Sequence, residues 1–130
     1  MPSRDINDLT KDLQRAYLHM REKYMRRFPG REVILVCTRR SPAEQAELYQ
    51  SGRSRPGPVL TNCDGVRKLS PHNSDPSRAF DLAVIDGGKY RADARAYEPL
   101  GGMALETGIV WGGSWKKLRD FCHFEQKEAK

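Results

Sequence analysis

Histidine is scarce in this sequence, with three in 130 residues: His19, His72 and His123. No HExxH pair exists, so the arrangement in which one helix presents two metal-binding histidines is absent. Cysteine is equally sparse. Cys37, Cys63 and Cys122 are far apart, odd in number and without a CxxC pair, which argues against a disulfide framework and for synthesis in a reducing compartment. No apolar run is long enough to span a bilayer, so membrane insertion is not expected. The first residues, MPSRDINDLTKDLQ, are polar and carry acids, unlike a secretory signal.

What remains is an ordinary globular composition, 38% hydrophobic and 31% charged. The length fits one domain over 1–130, a helical segment at 1–30 followed by a sheet, helices and site at 31–130. The formal net charge of +6 suits a polyanion such as nucleic acid, anionic lipid or anionic cell wall. The basic residues are scattered, and the cluster Arg21, Lys23, Arg26, Arg27 and Arg31 reads as a solvated helix face.

Ile6, Leu9, Leu13, Ala16, Tyr17, Met20 and Tyr24 recur at helical spacing, predicting an amphipathic helix from Asp5 to Arg27 ended by Pro29-Gly30. Glu32 to Thr38 is apolar and β-branched, a buried strand. Ser41-Pro42-Ala43-Glu44 has the form of a capping box with proline at the first helical position, opening a helix that runs to Gln50. Residues 53–78 are rich in Gly, Pro, Ser and Asn, a long loop with one short strand at Val66 to Leu69. Ala79 to Ile85 is a second buried strand, followed by a turn at Asp86-Gly87-Gly88. A helix over Asp93 to Thr107, interrupted or staggered near Pro99, and short strands at Ile109 to Trp111 and Cys122 to Gln126 complete the chain. The order predicts an α+β domain, a small antiparallel sheet with helices packed on one side.

Asp81 interrupts an apolar strand between Phe80 and Leu82. A buried carboxylate needs a cation or several donors. His72 precedes that strand and His123 lies in the last one. If those strands pair, His72, Asp81 and His123 supply the three protein ligands of a catalytic zinc site with one open position. Spacing alone leaves open that Asp81 pairs with an arginine instead. Cys37 reads as a core thiol. Cys122 neighbours His123, but adjacent strand residues point to opposite faces.

Ser70-Pro71-His72 with Ser77-Arg78-Ala79-Phe80-Asp81 resembles the SxHxxGxAxD signature of the M15 peptidase family, which includes VanY-type D,D-carboxypeptidases and phage L-alanyl-D-glutamate endopeptidases. Trp111-Gly112-Gly113-Ser114-Trp115 and Asp120-Phe121-Cys122-His123-Phe124-Glu125 are similar to its second signature, WGGxW…DxxHFE. Thr38-Arg39-Arg40-Ser41-Pro42, Gln45, Leu48-Tyr49 and Gly52-Arg53 are similar to its arginine-and-helix block. Asp81 follows His72 by nine positions where the family pattern has seven, Ser77 stands in place of Gly, and Cys122 stands where Pro is common. The resemblance implies a hedgehog/D,D-peptidase-like fold, Zn2+ on His72, Asp81 and His123, and Asp120 as general base. It implies Arg40, rather than the adjacent Arg39, as the residue that steadies the developing oxyanion. Ser70, Trp111, Gly112 and Glu125 fall around the substrate or behind the ligands.

Three functions fit this pattern. The first is a zinc endopeptidase cutting between L-Ala and D-Glu of the peptidoglycan stem peptide, as in a phage endolysin. The second is a D,D-carboxypeptidase or dipeptidase of the same family. The third is a non-catalytic basic module for cell wall or nucleic acid, which the full ligand set with Asp120 argues against. The first implies peptidoglycan as partner, no nucleic acid, and a monomer. It also implies synthesis in the cytoplasm and release to the wall by a holin-like protein.

Overall fold

The computed structural model describes residues 2–116 and 119–127. Three helices, α1 (Lys11–Arg27), α2 (Pro42–Tyr49) and α3 (Ala94–Glu106), accompany five strands. These are β1 (Arg31–Cys37), β2 (Ala79–Asp86), β3 (Lys89–Arg91), β4 (Val110–Trp111) and β5 (His123–Glu125). The strands form one antiparallel sheet in the order β1-β2-β5-β4, with β3 also paired to β2.

The first helix begins at Lys11, later than its periodicity predicts. Thr10 caps it through a hydroxyl that accepts from the Leu13 N–H. Upstream, Ser77 N–H donates to Asp8 O and Thr10 N–H donates to Ser77 O. That bridge holds the segment before Lys11 out of the helix, and Ile6–Asp8 forms a separate 3-10 turn. α2 carries the predicted capping box, with Ser41 and Glu44 each accepting from the other's backbone N–H.

Two expectations differ from the structure for local reasons. Val66 to Leu69 is not a strand, because Asp64 Oδ1 accepts from the N–H groups of Val66, Arg67 and Lys68. Those donors are committed to a side chain rather than a sheet ladder. Pro99 does not interrupt α3, which runs continuously from Ala94 to Glu106. Burial of Tyr97, Leu100, Met103 and Ala104 offsets the lost backbone hydrogen bond. β3 was not anticipated. It is short, and it follows Gly87 and Gly88, whose φ values of 56° and 81° suit a two-residue hairpin turn.

Alternation on β2 divides the sheet into two faces. Phe80, Leu82 and Val84 join Val33 and Phe124 in a core closed by Leu13, Tyr17, Met20 and Tyr24 of α1 and Leu100 and Met103 of α3. Phe80 and Phe124 stack at 5.5 Å between centroids. Tyr24 and Tyr97 satisfy their hydroxyls on the carbonyls of Ala96 and Arg91, both at 2.7 Å. The other face carries Asp81, paired directly with His123. Cys37 joins it through a register shift. Leu35 pairs with Leu82 and Cys37 with Asp81, so β1 advances two residues while β2 advances one. The bulge turns Cys37 to the face opposite Leu35.

Trp111 packs over α3 at Gly101, where an added Cβ would lie 2.4 Å from the indole Cε3, whereas Gly102 faces open space. Gly101→Ala should therefore destabilise the protein by about 1–3 kcal/mol. Gly102→Ala should be neutral or stabilising by up to about 1 kcal/mol, because alanine is the better helix former. Thermal unfolding of the two variants beside the parent measures the difference.

Candidate active site

His72 sits on a 3-10 turn, Pro71–Asn73, closed by a reciprocal cap. Ser70 Oγ accepts from the His72 N–H and Asn73 Oδ1 accepts from the Ser70 N–H. Asp81 comes from β2 and His123 from β5. Three donor atoms meet at one point. His72 Nε2 lies 3.2 Å from Asp81 Oδ1 and 3.3 Å from His123 Nδ1, and His123 Nδ1 lies 3.1 Å from Asp81 Oδ1.

The outer ring nitrogens fix what the inner ones present. His72 Nδ1–H donates to Thr38 O at 2.8 Å, and His123 Nε2–H donates to Glu125 Oε1 at 2.8 Å. Each imidazole, when neutral, thereby turns a lone pair inward, toward the other ring and a carboxylate oxygen. Three acceptors this close repel one another unless a positive charge stands between them. The electrostatics carry the same message. Burial opposes a charge on His72, but the Asp81 charge and hydrogen bond outweigh it and raise the His72 pKa to about 10. Burial likewise opposes the Asp81 carboxylate, yet His72 and His123 hold its pKa well below the ordinary value. A tetrahedral ion with bonds of ~2.0–2.1 Å has ligand-to-ligand edges of ~3.3 Å. The donor triangle fits such an ion with almost no rearrangement.

Around the triangle lies a cleft lined by Arg40, Leu48, Leu60 to Cys63, Ser70, Pro71, Trp115, Asp120 and Glu125. A carboxylate oxygen of Asp120 lies within 4.8 Å of donor atoms of Asp81 and His123. Loss of hydration against the cleft walls, then the Asp81 charge, raises the Asp120 pKa above the ordinary carboxylate value. That suits a group that must accept and then return a proton. Gly112 is buried behind it. A Cβ there would lie 2.5 Å from Asp120 O and 3.2 Å from His123 Cβ, so glycine lets this turn press against the Asp120–His123 segment.

Arg40 and Arg39 diverge. The Arg40 guanidinium enters the cleft, with Nη2 3.7 Å from Asp81 Oδ2 and Nη1 donating to Gln45 Oε1 at 2.9 Å. Arg39 turns away, its Nε 3.9 Å from Asp75. The long loop between His72 and Asp81 is anchored on the same strand end. Asn73 Nδ2 donates to Arg40 O, and Ser77 Oγ donates to Thr38 O.

Of the residues expected around the substrate, Ser70 and Glu125 line the cleft, while Trp111 and Gly112 do not. Trp111 packs against the core, its indole N–H donating to Phe121 O at 2.8 Å. The cleft-side tryptophan is Trp115, whose ring centroid lies 5.1 Å from that of His123. Its place as the last residue of the WGGxW string was its signal. Cys37 is buried, as a core thiol should be, but its place beside the site has no signal in the sequence. Its Sγ lies 3.7 Å from His72 Nδ1 and 3.6 Å from Arg40 Nη2, and only the bulge, invisible in the sequence, brings it there.

A peptidase M15 family model, described as D-alanyl-D-alanine carboxypeptidase, matches residues 64–126. Residues 64–126 are thus similar to the M15 peptidase family. M15 peptidases are metallopeptidases, in keeping with the donor set above. The chain is 31% identical over 105 residues to the peptidoglycan L-alanyl-D-glutamate endopeptidase CwlK of Bacillus subtilis, covering 74% of this chain and 61% of that relative. The match thus spans less than two thirds of the relative's length. In fold the chain is similar to the crystal structure of the Serratia marcescens L-Ala D-Glu endopeptidase ChiX. The TM-score is 0.67 at 22% identity, over 98% of this chain and 89% of that one.

The donor set predicts one divalent ion per chain. Equilibrium metal titration should give a single site in the parent and none in His123→Ala. Glu125→Ala, which frees only the outer nitrogen of His123, should weaken binding about 10–100-fold.

Proposed function

We propose that this chain is an M15 family zinc peptidase that hydrolyses the L-alanyl-D-glutamate bond of the peptidoglycan stem peptide. The observation that carries the reading is the inward-facing triangle of His72, Asp81 and His123 with Asp120 beside it. The likeness to CwlK, itself a peptidoglycan L-alanyl-D-glutamate endopeptidase, supports the choice of bond.

His72, Asp81 and His123 would hold the zinc, which would supply Lewis acidity toward the substrate carbonyl and an attacking water. The chain's own groups do the rest. Asp120 takes the proton of that water as its oxygen adds to the carbonyl carbon. It returns the proton to the nitrogen as the C–N bond breaks, so that an amine leaves. Arg40 presents a fixed positive charge toward the carbonyl oxygen as negative charge builds there. Thr38 O and Glu125 hold the two imidazoles so that neither ring turns during the cycle. Leu48, Leu60 and Trp115 add apolar surface to the lining of the cleft.

The same reading includes a lytic role of the phage type, with peptidoglycan as the macromolecular partner and a holin-like protein giving access to it. The net charge of +6 favours adhesion to an anionic wall. A second reading, a D,D-carboxypeptidase, is favoured by the description of the matching family model.

Mass spectrometry of purified peptidoglycan after digestion separates the two. New L-alanine carboxyl ends and D-glutamate amino ends are expected. Release of terminal D-alanine alone would replace this reading with the second. Asp120→Ala should keep its metal and lose most hydrolysis. Arg40→Ala should lose about a hundredfold in turnover with metal retained, and Arg39→Ala little. Parental turnover in Asp120→Ala would remove the assigned base.

A further inference from the structure

One buried polar side chain beside the site has no part in the chemistry described so far. Gln45, on α2, is 1% exposed. Its Oε1 accepts from Arg40 Nη1 at 2.9 Å, while its Nε2 donates to Cys63 O at 3.0 Å and to Thr61 Oγ1 at 3.2 Å. Chemistry fixes this orientation of the amide. A guanidinium offers only donors and a backbone carbonyl only accepts, so the amide cannot be turned over without losing both contacts.

The two ends of this amide touch different parts of the site. Arg40 is the cation of the cleft, and Thr61 to Cys63 belong to its wall. The wall is seated directly on α2. At Gly65, where φ is +81°, an added Cβ would lie 2.5 Å from Pro42 O and 3.0 Å from Gln45 Cβ. The other side-chain contacts of Arg40 in the cleft are long, at 3.6 Å to Cys37 Sγ and 3.7 Å to Asp81 Oδ2. Without Gln45, no close side-chain contact among the described residues opposes the pull of Asp81, and the guanidinium is drawn toward a carboxylate that the metal also needs.

We propose that Gln45 is a positioning residue that ties the 60–63 wall of the cleft to the Arg40 guanidinium, so that a peptide seated against that wall fixes the cation beside the reacting carbonyl oxygen. The proposal rests on the role given to Arg40 above. It makes Gln45 act on turnover through Arg40, and on substrate affinity through Thr61 and Cys63.

The test is a double-mutant cycle on a soluble stem peptide, with kcat, KM, metal content and thermal midpoint measured for the parent, Gln45→Leu, Arg40→Ala and the double variant. Gln45→Leu should lower kcat about tenfold or more with metal retained, as expected for a displaced charge. In the Arg40→Ala background the same change should lower kcat by less than about twofold, because the group it positions is gone. Gln45→Glu keeps an acceptor for Arg40 but loses the donor to Cys63, so it should raise KM more than it lowers kcat. Parental kcat in Gln45→Leu, or two effects that simply multiply, overturns the proposal. If Gln45→Leu fails to fold, a parental KM in Gln45→Glu overturns it. A parent that does not cleave the peptide sinks the endopeptidase reading itself. A cleaving parent with Arg40→Ala unimpaired removes the role of Arg40 and this proposal with it.

Discussion

A carboxylate in the middle of an apolar strand governs this structure. Asp81 lies between two core residues, Phe80 and Leu82, and leaving it unpaired there would cost several kcal/mol. The strand's alternation turns it away from the hydrophobic core, and the polar groups beside it on that face are arranged around its charge. His123 is its direct cross-strand partner, His72 arrives on a capped turn, and Arg40 approaches from the end of β1. Each of these groups is held in turn by a hydrogen bond on its far side. The site is thus a set of charges prevented from relaxing, the condition under which a bound cation gains most from its ligands.

One sheet serves two purposes because a strand has two faces. The face toward α1 and α3 is aromatic and aliphatic, with its tyrosine hydroxyls satisfied on backbone carbonyls, and it supplies the stability. The opposite face gives up that burial to carry Asp81, His123 and Cys37. The stacked pair Phe80 and Phe124 lies one residue from Asp81 and His123 in each strand, so core packing sets the register that brings the two ligands opposite each other. A one-residue slip between β2 and β5 would put His123 into the core and break the site and the packing together.

Much of this was legible in the sequence where a single residue type has a single physical meaning. The capping box at Ser41 and Glu44, the β-branched strand before it and the misplaced Asp81 all reported their structure directly. The α+β class followed from the order of the elements. Other features depended on contacts between distant segments. The start of α1 is set by Ser77, nearly seventy residues on, and the false strand at Val66 to Leu69 was dissolved by one Asp64 oxygen. Cys37 looked like a core residue because its apolar run has no gap. Only a bulge, which needs the partner strand to exist, turns it toward His72. Trp111 and Trp115 carry the same side chain in one motif. Gly101 draws the first into the core, while the second is left beside His123.

Which atoms receive the metal is decisive, since Cys37, His72 and Asp81 also stand close enough together to offer a ligand set that includes sulfur. Extended X-ray absorption at the zinc edge of the loaded protein decides between them. Two imidazole nitrogens with oxygen donors, all at ~2.0–2.1 Å, and no sulfur shell are expected. A sulfur neighbour at ~2.3 Å, abolished in Cys37→Ser, would contradict that assignment.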